Sequence, residues 1–193
     1  ELIGGQIQKI YQPEKSLFTF KVWNESSKKL LVSIGNEFRL QLTDRNFENP
    51  KRPPTFCMML RTYLEGGIVK EISQRGFDRL DEIEIETKKK SLGEEEPSSK
   101  KLYIELMGRN SNMILADEKA ILDAAKRKDR SDRPLKPHIT YEPPTRQEKA
   151  NPTKIKKDHL FNFFRNTDEN KSWKPLMYNI EGFGPQTAKE VIA

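Results

Sequence analysis

The alternation of apolar and polar residues in the N-terminal part of the chain constrains its fold more than any other feature. In residues 17–23, Phe18, Phe20 and Val22 fall on one face, which is the two-residue period of a half-buried β-strand. Similar short runs recur at residues 6–11, 30–34, 38–42, 68–74, 82–86 and 102–106. We therefore expect a β-rich domain, with a hairpin turn at residues 24–28 and a mobile acid- and serine-rich loop at residues 91–99.

One helix is predicted to interrupt these strands. Pro53-Pro54 favours its start and Gly66-Gly67 favours its end. Apolar side chains recur between them at helical spacing, namely Phe56, Met59, Leu60, Tyr63 and Leu64. This apolar stripe is expected to pack on the sheet. Cys57, the only cysteine, lies in the same segment and is interpreted as a small core residue.

Five prolines indicate a change of structure at residues 133–152. Because proline fixes φ and lacks an N–H, this segment is predicted to be a linker. Helical patterns follow, one starting near residues 151–153 and others around residues 174–178 and 185–193. The expected fold class is α+β: a β-rich domain of sandwich or barrel-like form at residues 1–132, the linker at 133–152, and a small helix-hairpin-helix-type domain at 153–193.

The net charge of +6 is concentrated in one part of the chain. Residues 126–157 contain eleven basic and four acidic side chains, a local net charge of +7, so the remainder is close to neutral. Such a local excess is typical of a surface that binds a polyanion such as nucleic acid. A solvated basic linker is the alternative that this pattern leaves open.

The C-terminal sequence contains a helix-hairpin-helix pattern that can bind phosphate. Its residues are Gly182, Phe183, Gly184, Pro185, Ala188 and Lys189. The glycines permit a positive φ and a close approach of phosphate to the backbone, while the phenylalanine between them fixes the hairpin to the core. The proline suits the first helical position, and the following amides lie at the positive end of a helix. Lys189 adds a positive charge. A purely structural connector, with Glu181 standing where proline is common, is the alternative reading.

The sequence contains no pattern that points to bond-making chemistry. Only two histidines are present, His138 in the predicted linker and His159 at a helix start, and neither has partners that indicate a catalytic triad or a metal site. The sequence contains neither a phosphate-binding glycine loop of the nucleotide-hydrolase type nor a dinucleotide-binding glycine pattern. We therefore predict no catalytic residue, no metal and no cofactor, and interpret the chain as a binding protein.

Several segments together resemble the NFACT-N domain of the RqcH/NEMF family, which includes streptococcal fibronectin-binding proteins of the PavA/FbpA type. The segments that carry the resemblance lie at residues 4–13, 48–50, 53–67, 76–79 and 105–112. Relative to the family, the chain lacks an N-terminal helix and the coiled-coil region that normally follows, so we interpret it as a piece of a longer protein. The resemblance implies an N-terminal fold similar to that of formamidopyrimidine-DNA glycosylases, although that enzyme's catalytic proline and zinc finger have no counterpart here.

The resemblance also implies a function in ribosome-associated quality control. Members bind large ribosomal subunits obstructed by peptidyl-tRNA and recruit tRNA, in bacteria chiefly alanyl-tRNA, for untemplated C-terminal tailing of the stalled peptide. The family's Asp-Arg pair, associated with tRNA recognition, corresponds to Asp78 and Arg79. An arginine can fork onto phosphate or stack on a base while the aspartate orients it. Arg109, next to Gly108 and flanked by Asn110 and Asn112, is a second candidate for RNA contact. The alternatives are a structural ion pair at a strand entrance for the Asp-Arg pair and a turn residue that caps a strand for Arg109.

Two other functions stay open at this point. The first is a fibronectin-binding adhesin that contributes to host-cell attachment and virulence, as the names of streptococcal relatives imply, and both roles can coexist in one protein. The second is a glycosylase-like enzyme, which rests on fold analogy alone. No signal peptide is visible in the sequence, and no apolar run reaches the ~18 residues that a membrane helix requires. We therefore expect a cytoplasmic protein without membrane insertion, and leave open an additional location at the cell surface.

Overall fold

The strands and helices follow the predicted order of a β-rich part and then a helical part. The structure, a computed structural model, describes residues 1–91, 94–129, 132–145, 148–165 and 172–193. Its strands are β1 Gln6–Glu14, β2 Leu17–Asn24, β3 Ser26–Ser33, β4 Arg39–Leu42, β5 Ile68–Gln74, β6 Leu80–Ser91, β7 Glu94–Glu105, β8 Asn112–Ala116 and β9 Ile121–Ala124. Its helices are α1 Thr55–Leu64, α2 Lys157–Phe164, α3 Lys174–Asn179 and α4 Pro185–Ile192, with a 3-10 turn at Gly108–Asn110.

The strands of the described residues form one antiparallel sheet of nine strands, in the order β4-β3-β2-β1-β5-β6-β7-β8-β9. Every strand predicted from the sequence is present, and the period-2 alternation of β2 is visible in the burial of Phe18, Phe20 and Val22. The predicted α+β class, a β-rich part followed by helices, is therefore confirmed, and the sheet is antiparallel. The sandwich or barrel-like form and the similarity to glycosylases remain predictions.

Helix α1 covers the hydrophobic core of the sheet, as its apolar stripe predicted. Phe56, Leu60 and Leu64 are buried in one cluster with side chains from both halves of the sheet, and the Phe56 ring meets the ring of Phe18 edge-on at 5.8 Å. Cys57 is fully buried, as predicted for a core residue. Edge-to-face aromatic pairs of this kind stabilise a core beyond the area that they bury.

The hairpin turn predicted at residues 24–28 is present, but its predicted bounds are wrong. Asn24 pairs with Ser26, so the chain turns at Glu25 alone, and residues 26–28 are part of β3. Glu25 has a φ of +56°, a conformation that non-glycine residues adopt uncommonly. The polar composition of the segment correctly indicated a reversal of the chain but not how short that reversal is.

The predicted loop at residues 91–99 is also wrong wherever the structure describes it. Residues 94–99 continue β7, which pairs with β6 from Leu80↔Glu105 out to Ser91↔Glu94. Residues 92 and 93 of the predicted loop lie outside the described residues. Two strands that follow, β8 and β9, were not predicted, although every residue of β8 is buried.

The chain separates into two compact units. The first contains Glu1–Arg75 and Leu80–Glu142, and the second contains Gly76–Arg79 and Pro143–Ala193. The change between them at residue 142 falls within the segment predicted as a linker. None of the described helices is long and apolar enough to span a lipid bilayer.

A buried ion pair lies in the first unit, where no sequence pattern predicted it. The carboxylate of Glu105, which is only 1% exposed, accepts hydrogen bonds from both terminal nitrogens of Arg133 and from the hydroxyl of Tyr141 at 2.9 Å. The Tyr141 ring also stacks on Tyr103 with centroids 3.7 Å apart. Burial and the neighbouring carboxylate of Glu105 raise the pKa of the Tyr141 hydroxyl, which therefore acts as a donor at neutral pH.

The second unit is built around its helices. Leu176, Ile180 and Ala188 form its buried cluster. Helix α2 begins at Lys157 and not at residues 151–153 as predicted. The side chain of Asn151 instead accepts hydrogen bonds from Thr153 and so stabilises a turn before the helix.

Candidate nucleic-acid interface

The predicted Asp-Arg pair lies in a short loop between β5 and β6, which we call the Asp-Arg loop (Gly76–Arg79). Gly76 has a φ of +58°, which glycine adopts without steric cost and which allows the sharp reversal between the strands. Arg79 is exposed, while Asp78 is half-buried and already interacts with other groups of the chain. Arg79 is therefore accessible for the predicted contact with phosphate or base, and the orienting role predicted for Asp78 stays a prediction.

The glycine hairpin (residues 182–184) connects α3 to α4 in the second unit. Gly182 has a φ of +77°, which strongly favours glycine at this position. Gly184 has a φ of −92°, which any residue can adopt. Ala188 is fully buried where α3 and α4 pack together, as its small side chain predicted. Phe183 is half-buried against the same cluster.

Backbone hydrogen bonds fix the approach to this hairpin. The N–H of Ala150 donates to the carbonyl of Asn179 at 2.7 Å, and the N–H of Glu181 donates to the carbonyl of Ala150 at 3.0 Å. Glu181, the residue that departs from the usual proline, is largely buried. Its carboxylate is therefore mostly withdrawn from solvent.

The start of α4 presents backbone amides suited to an anion. The first hydrogen bond within the helix runs from the N–H of Ala188 to the carbonyl of Gly184 at 2.9 Å. The N–H groups of Gln186 and Thr187 precede it and have no acceptor inside the helix. Residues 185–187 are exposed, and a Cβ added to Gly184 would have no neighbour within 4 Å. The backbone is therefore open to a phosphate at the positive end of the helix.

Replacing Gly184 with alanine is expected to weaken RNA binding more than it weakens the fold. The added methyl group would project into the open space at the helix start, where a phosphate must approach. Because the φ of Gly184 suits alanine and the site has no steric conflict, the free energy of unfolding should fall by less than about 1 kcal/mol, the usual loss for alanine at an N-cap. Urea denaturation and tRNA affinity measured on the same variant would separate the two effects. Equal affinity for wild type and variant would exclude the hairpin as a contact.

Lys189 lies on α4 with its ammonium group held over an aromatic ring. Its Nζ is 5.0 Å from the centroid of Trp173, and the Nζ of Lys174 is 5.9 Å from the same centroid. Cation–π contacts hold such ammonium groups in place without neutralising them. Trp173 therefore gathers two positive charges in the second unit, which the sequence did not predict.

The structure brings the Asp-Arg loop and the glycine hairpin together. A Cβ built on Gly182 would lie 3.3 Å from Cβ of Phe77 and 3.6 Å from its Cδ1. The loop is also grouped with the helices of the second unit by its contacts, apart from the strands that flank it. Asp78, Arg79 and the hairpin are thus neighbours in one unit.

Arg109 is not part of this grouping. It is exposed in the 3-10 turn of the first unit, after Gly108 with a φ of +60°. Nearby Asn112 has a structural role, because its side-chain amide donates to the carbonyl of Lys126 at 2.8 Å and accepts from the N–H of the same residue at 2.9 Å. A role for Arg109 in RNA contact stays a prediction.

Much of the basic segment serves internal contacts. Arg133 pairs with buried Glu105, Arg127 pairs with Asp123 at 2.8 Å, and Lys149 donates to a backbone carbonyl at 2.8 Å. Two other basic side chains of this segment also have partners within the protein. Lys126 donates to the carbonyl of Ile34, and Lys136 lies 3.7 Å from the carboxylate of Asp129. Lys154, Lys156 and Lys157 are exposed in the second unit, and Arg130 and Arg146 lie outside the described residues. The charge excess therefore overstates the surface that is free for a polyanion.

A separate cavity of about 850 Å³ lies in the first unit. It is lined by the end of α1 and by parts of β6, β7 and the β8–β9 connection, including Gly66, Lys100 and Asp117. None of the residues predicted to contact RNA lines it. In the described part of the chain, no group of three or more histidine, cysteine, aspartate or glutamate residues is placed to hold a metal ion.

Comparison with known protein families gives one match that spans the chain. The model of the family "NFACT N-terminal and middle domains" matches residues 1–193. Among curated proteins, the Rqc2 homolog RqcH of Bacillus subtilis is 34% identical, and the alignment covers 100% of this chain and 34% of that protein. The Rqc2 homolog RqcH of Streptococcus pneumoniae is 36% identical, with coverage of 99% and 35%. The chain spans about a third of the length of these relatives.

Solved structures show the same fold. The N-terminal domain of the fibronectin-binding protein PavA from Streptococcus pneumoniae superposes with a TM-score of 0.85 at 36% identity, over 100% of this chain and 76% of that one. The N-terminal part of the fibronectin/fibrinogen-binding protein from Streptococcus suis gives a TM-score of 0.85 at 36% identity, over 98% and 72%. The mainly antiparallel sheet with its few helices is therefore shared with these proteins.

Proposed function

Because this chain belongs to the family of NFACT N-terminal and middle domains, we propose that it is an RNA-binding module of a ribosome-associated quality-control factor. One observation carries the proposal: the Asp-Arg loop and the glycine hairpin, predicted separately as RNA contacts, lie side by side in the second unit. Relatives named as Rqc2 homologs support the cellular process.

The module binds by charge and shape and makes no covalent bonds. The guanidinium of Arg79 offers a planar fork of donors to phosphate oxygens or stacks on a base. The amides of Gln186 and Thr187 receive a second phosphate at the start of α4, and Lys189 contributes a positive charge beside them. Contacts of this kind position an RNA strand without reading its sequence.

The RNA proposed is tRNA, alanyl-tRNA in bacteria, together with the rRNA of an obstructed large ribosomal subunit. In the complete protein, recruitment of tRNA would support C-terminal tailing of the stalled peptide. Since the chain spans about a third of its relatives, it supplies a binding surface for that process and not the whole of it.

The salt dependence of tRNA binding tests this proposal. Phosphate contacts release condensed counterions, so the logarithm of the affinity should fall linearly with the logarithm of salt concentration, by about 0.7–0.9 per phosphate contacted. Fluorescence anisotropy of labelled tRNA for alanine, titrated with the chain between low and physiological salt, measures the slope. Saturable binding with a slope of magnitude about 1.4–1.8 is expected from the two phosphates that Arg79 and the hairpin contact. Binding that is absent at low salt would contradict the proposal.

Fibronectin binding is a second candidate, favoured by one observation. Two of the solved structures that superpose on the chain come from proteins named for binding fibronectin or fibronectin and fibrinogen. Surface plasmon resonance with immobilised fibronectin at physiological salt separates the alternatives. Saturable binding there would support an adhesin role, while binding confined to low salt indicates only the general attraction of a basic surface.

A further inference from the structure

Gly182 is constrained by two independent features. Its φ of +77° is one that L side chains rarely adopt. In addition, an added Cβ would lie 3.3 Å from Cβ, 3.7 Å from Cγ and 3.6 Å from Cδ1 of Phe77. Gly184, two residues further, has neither constraint. The absence of a side chain at Gly182 therefore leaves room specifically for Phe77.

Phe77 is an unusual choice for its position. It lies in a short loop, next to Asp78 and two residues before Arg79, and remains 38% exposed. Large apolar side chains at the tip of a polar loop expose surface to water unless they have a partner. Its partner here is the backbone of the glycine hairpin, which places the ring where the two predicted RNA contacts meet.

We propose that Phe77 is a positioning residue that couples Arg79 to the start of α4 through its contact with Gly182. The contact holds the Asp-Arg loop against the hairpin, so Arg79 and the amides of Gln186 and Thr187 meet one stretch of RNA backbone as a single surface. Without this contact, the loop must be ordered when RNA binds, and the cost of that ordering reduces affinity. This inference rests on the proposed function and adds to it how the two elements cooperate.

A double-mutant cycle measures the coupling. We would compare wild type with Phe77→Ala, Arg79→Ala and the double variant, using fluorescently labelled tRNA for alanine at low salt. Each single change is expected to reduce affinity about 10-fold, which is the scale of losing one hydrogen bond between charged groups. The double variant should bind only about 2-fold more weakly than either single variant, because residues that act as a unit give non-additive effects.

Two matched variants separate positioning from general destabilisation. Phe77→Leu keeps an apolar side chain against Gly182 and should retain most of the affinity. Phe38→Ala removes a ring of similar exposure, 36%, from the first unit. The fold-change in affinity caused by Arg79→Ala should be the same with or without Phe38→Ala, because Phe38 takes no part in the contact with Gly182. Thermal unfolding of each variant identifies any that fail to fold.

A change on the other side of the contact provides an independent check. Gly182→Asn adds a Cβ against Phe77, yet asparagine tolerates a positive φ better than most residues. The effect of Arg79→Ala should therefore shrink in the Gly182→Asn background as it does in the Phe77→Ala background. This variant also keeps the cycle informative if Phe77→Ala does not fold.

The outcomes distinguish the inference from the function on which it rests. If Arg79→Ala leaves the affinity unchanged in the wild-type background, the proposed RNA contact is wrong. If Arg79→Ala weakens binding about 10-fold in every background, RNA contact stands but Phe77 does not position it. The coupling is supported only if the loss caused by Arg79→Ala largely disappears in the Phe77→Ala and Gly182→Asn backgrounds and persists in the Phe38→Ala background.

Discussion

Replacing Arg133 with alanine is expected to lower the free energy of unfolding by about 3–5 kcal/mol, the usual cost of removing one partner of a buried ion pair. The carboxylate of Glu105 is almost completely buried and accepts both terminal nitrogens of Arg133. After the substitution, the hydroxyl of Tyr141 would be its remaining side-chain partner among those described. A buried carboxylate with so little compensation is strongly unfavourable.

Urea denaturation followed by circular dichroism would measure this loss. Lys136→Ala is a suitable control, because Lys136 pairs with exposed Asp129 at 3.7 Å and surface ion pairs contribute about 0–1 kcal/mol. Adding Glu105→Gln to the Arg133→Ala variant should recover part of the loss, since it removes the buried charge. If Arg133→Ala costs no more than Lys136→Ala, the ion pair does not hold the segment after residue 132 on the first unit.

Reversing the charge of Arg79 is expected to reduce tRNA affinity by roughly 100-fold at low salt. Loss of a hydrogen bond between charged groups accounts for about 1.5–3 kcal/mol, and a carboxylate facing the phosphate adds repulsion. Arg79 is exposed and lies in the same unit as the glycine hairpin, so Arg79→Glu should leave the fold intact. The slope of the logarithm of affinity against the logarithm of salt concentration should also become shallower by about 0.7–0.9, the value for one phosphate contact.

Two comparisons make this result specific. Arg79→Lys keeps the charge but loses the planar fork, so its affinity should lie between wild type and Arg79→Glu. Lys119→Glu makes the same change of charge on an exposed side chain of the first unit that is not among the predicted RNA contacts, and it should have less than about a 3-fold effect because it removes no phosphate contact. Equal losses for Arg79→Glu and Lys119→Glu would mean that only the net charge matters.

Local patterns predicted most of the fold, and the errors arose where structure depends on distant residues. Period-2 alternation identified β2, and proline and glycine boundaries identified α1 within two residues. The acid-rich end of β7 has the composition of a loop, but its backbone pairs with β6 out to Ser91↔Glu94. Composition alone does not show such pairing, because strand formation depends on the neighbouring strand.

The candidate site shows the same division between local and distant information. The geometry of Gly182, Pro185 and Ala188 follows from neighbouring residues and was predicted from them. The contact between Phe77 and Gly182 joins two distant segments, so no local pattern could indicate it. The charge count over residues 126–157 overestimated the basic surface that is free to bind RNA. A count of charges cannot show that Arg133 pairs with a buried carboxylate.

Hydrogen–deuterium exchange of the chain with and without tRNA for alanine tests the central claim most directly. The amides of Gln186 and Thr187 have no acceptor within α4 and should exchange rapidly in the free chain. Binding of RNA should slow their exchange, together with that of the Asp-Arg loop, and the protection should weaken as salt is raised. Protection confined to the first unit, with residues 76–79 and 182–188 unchanged, would contradict the account.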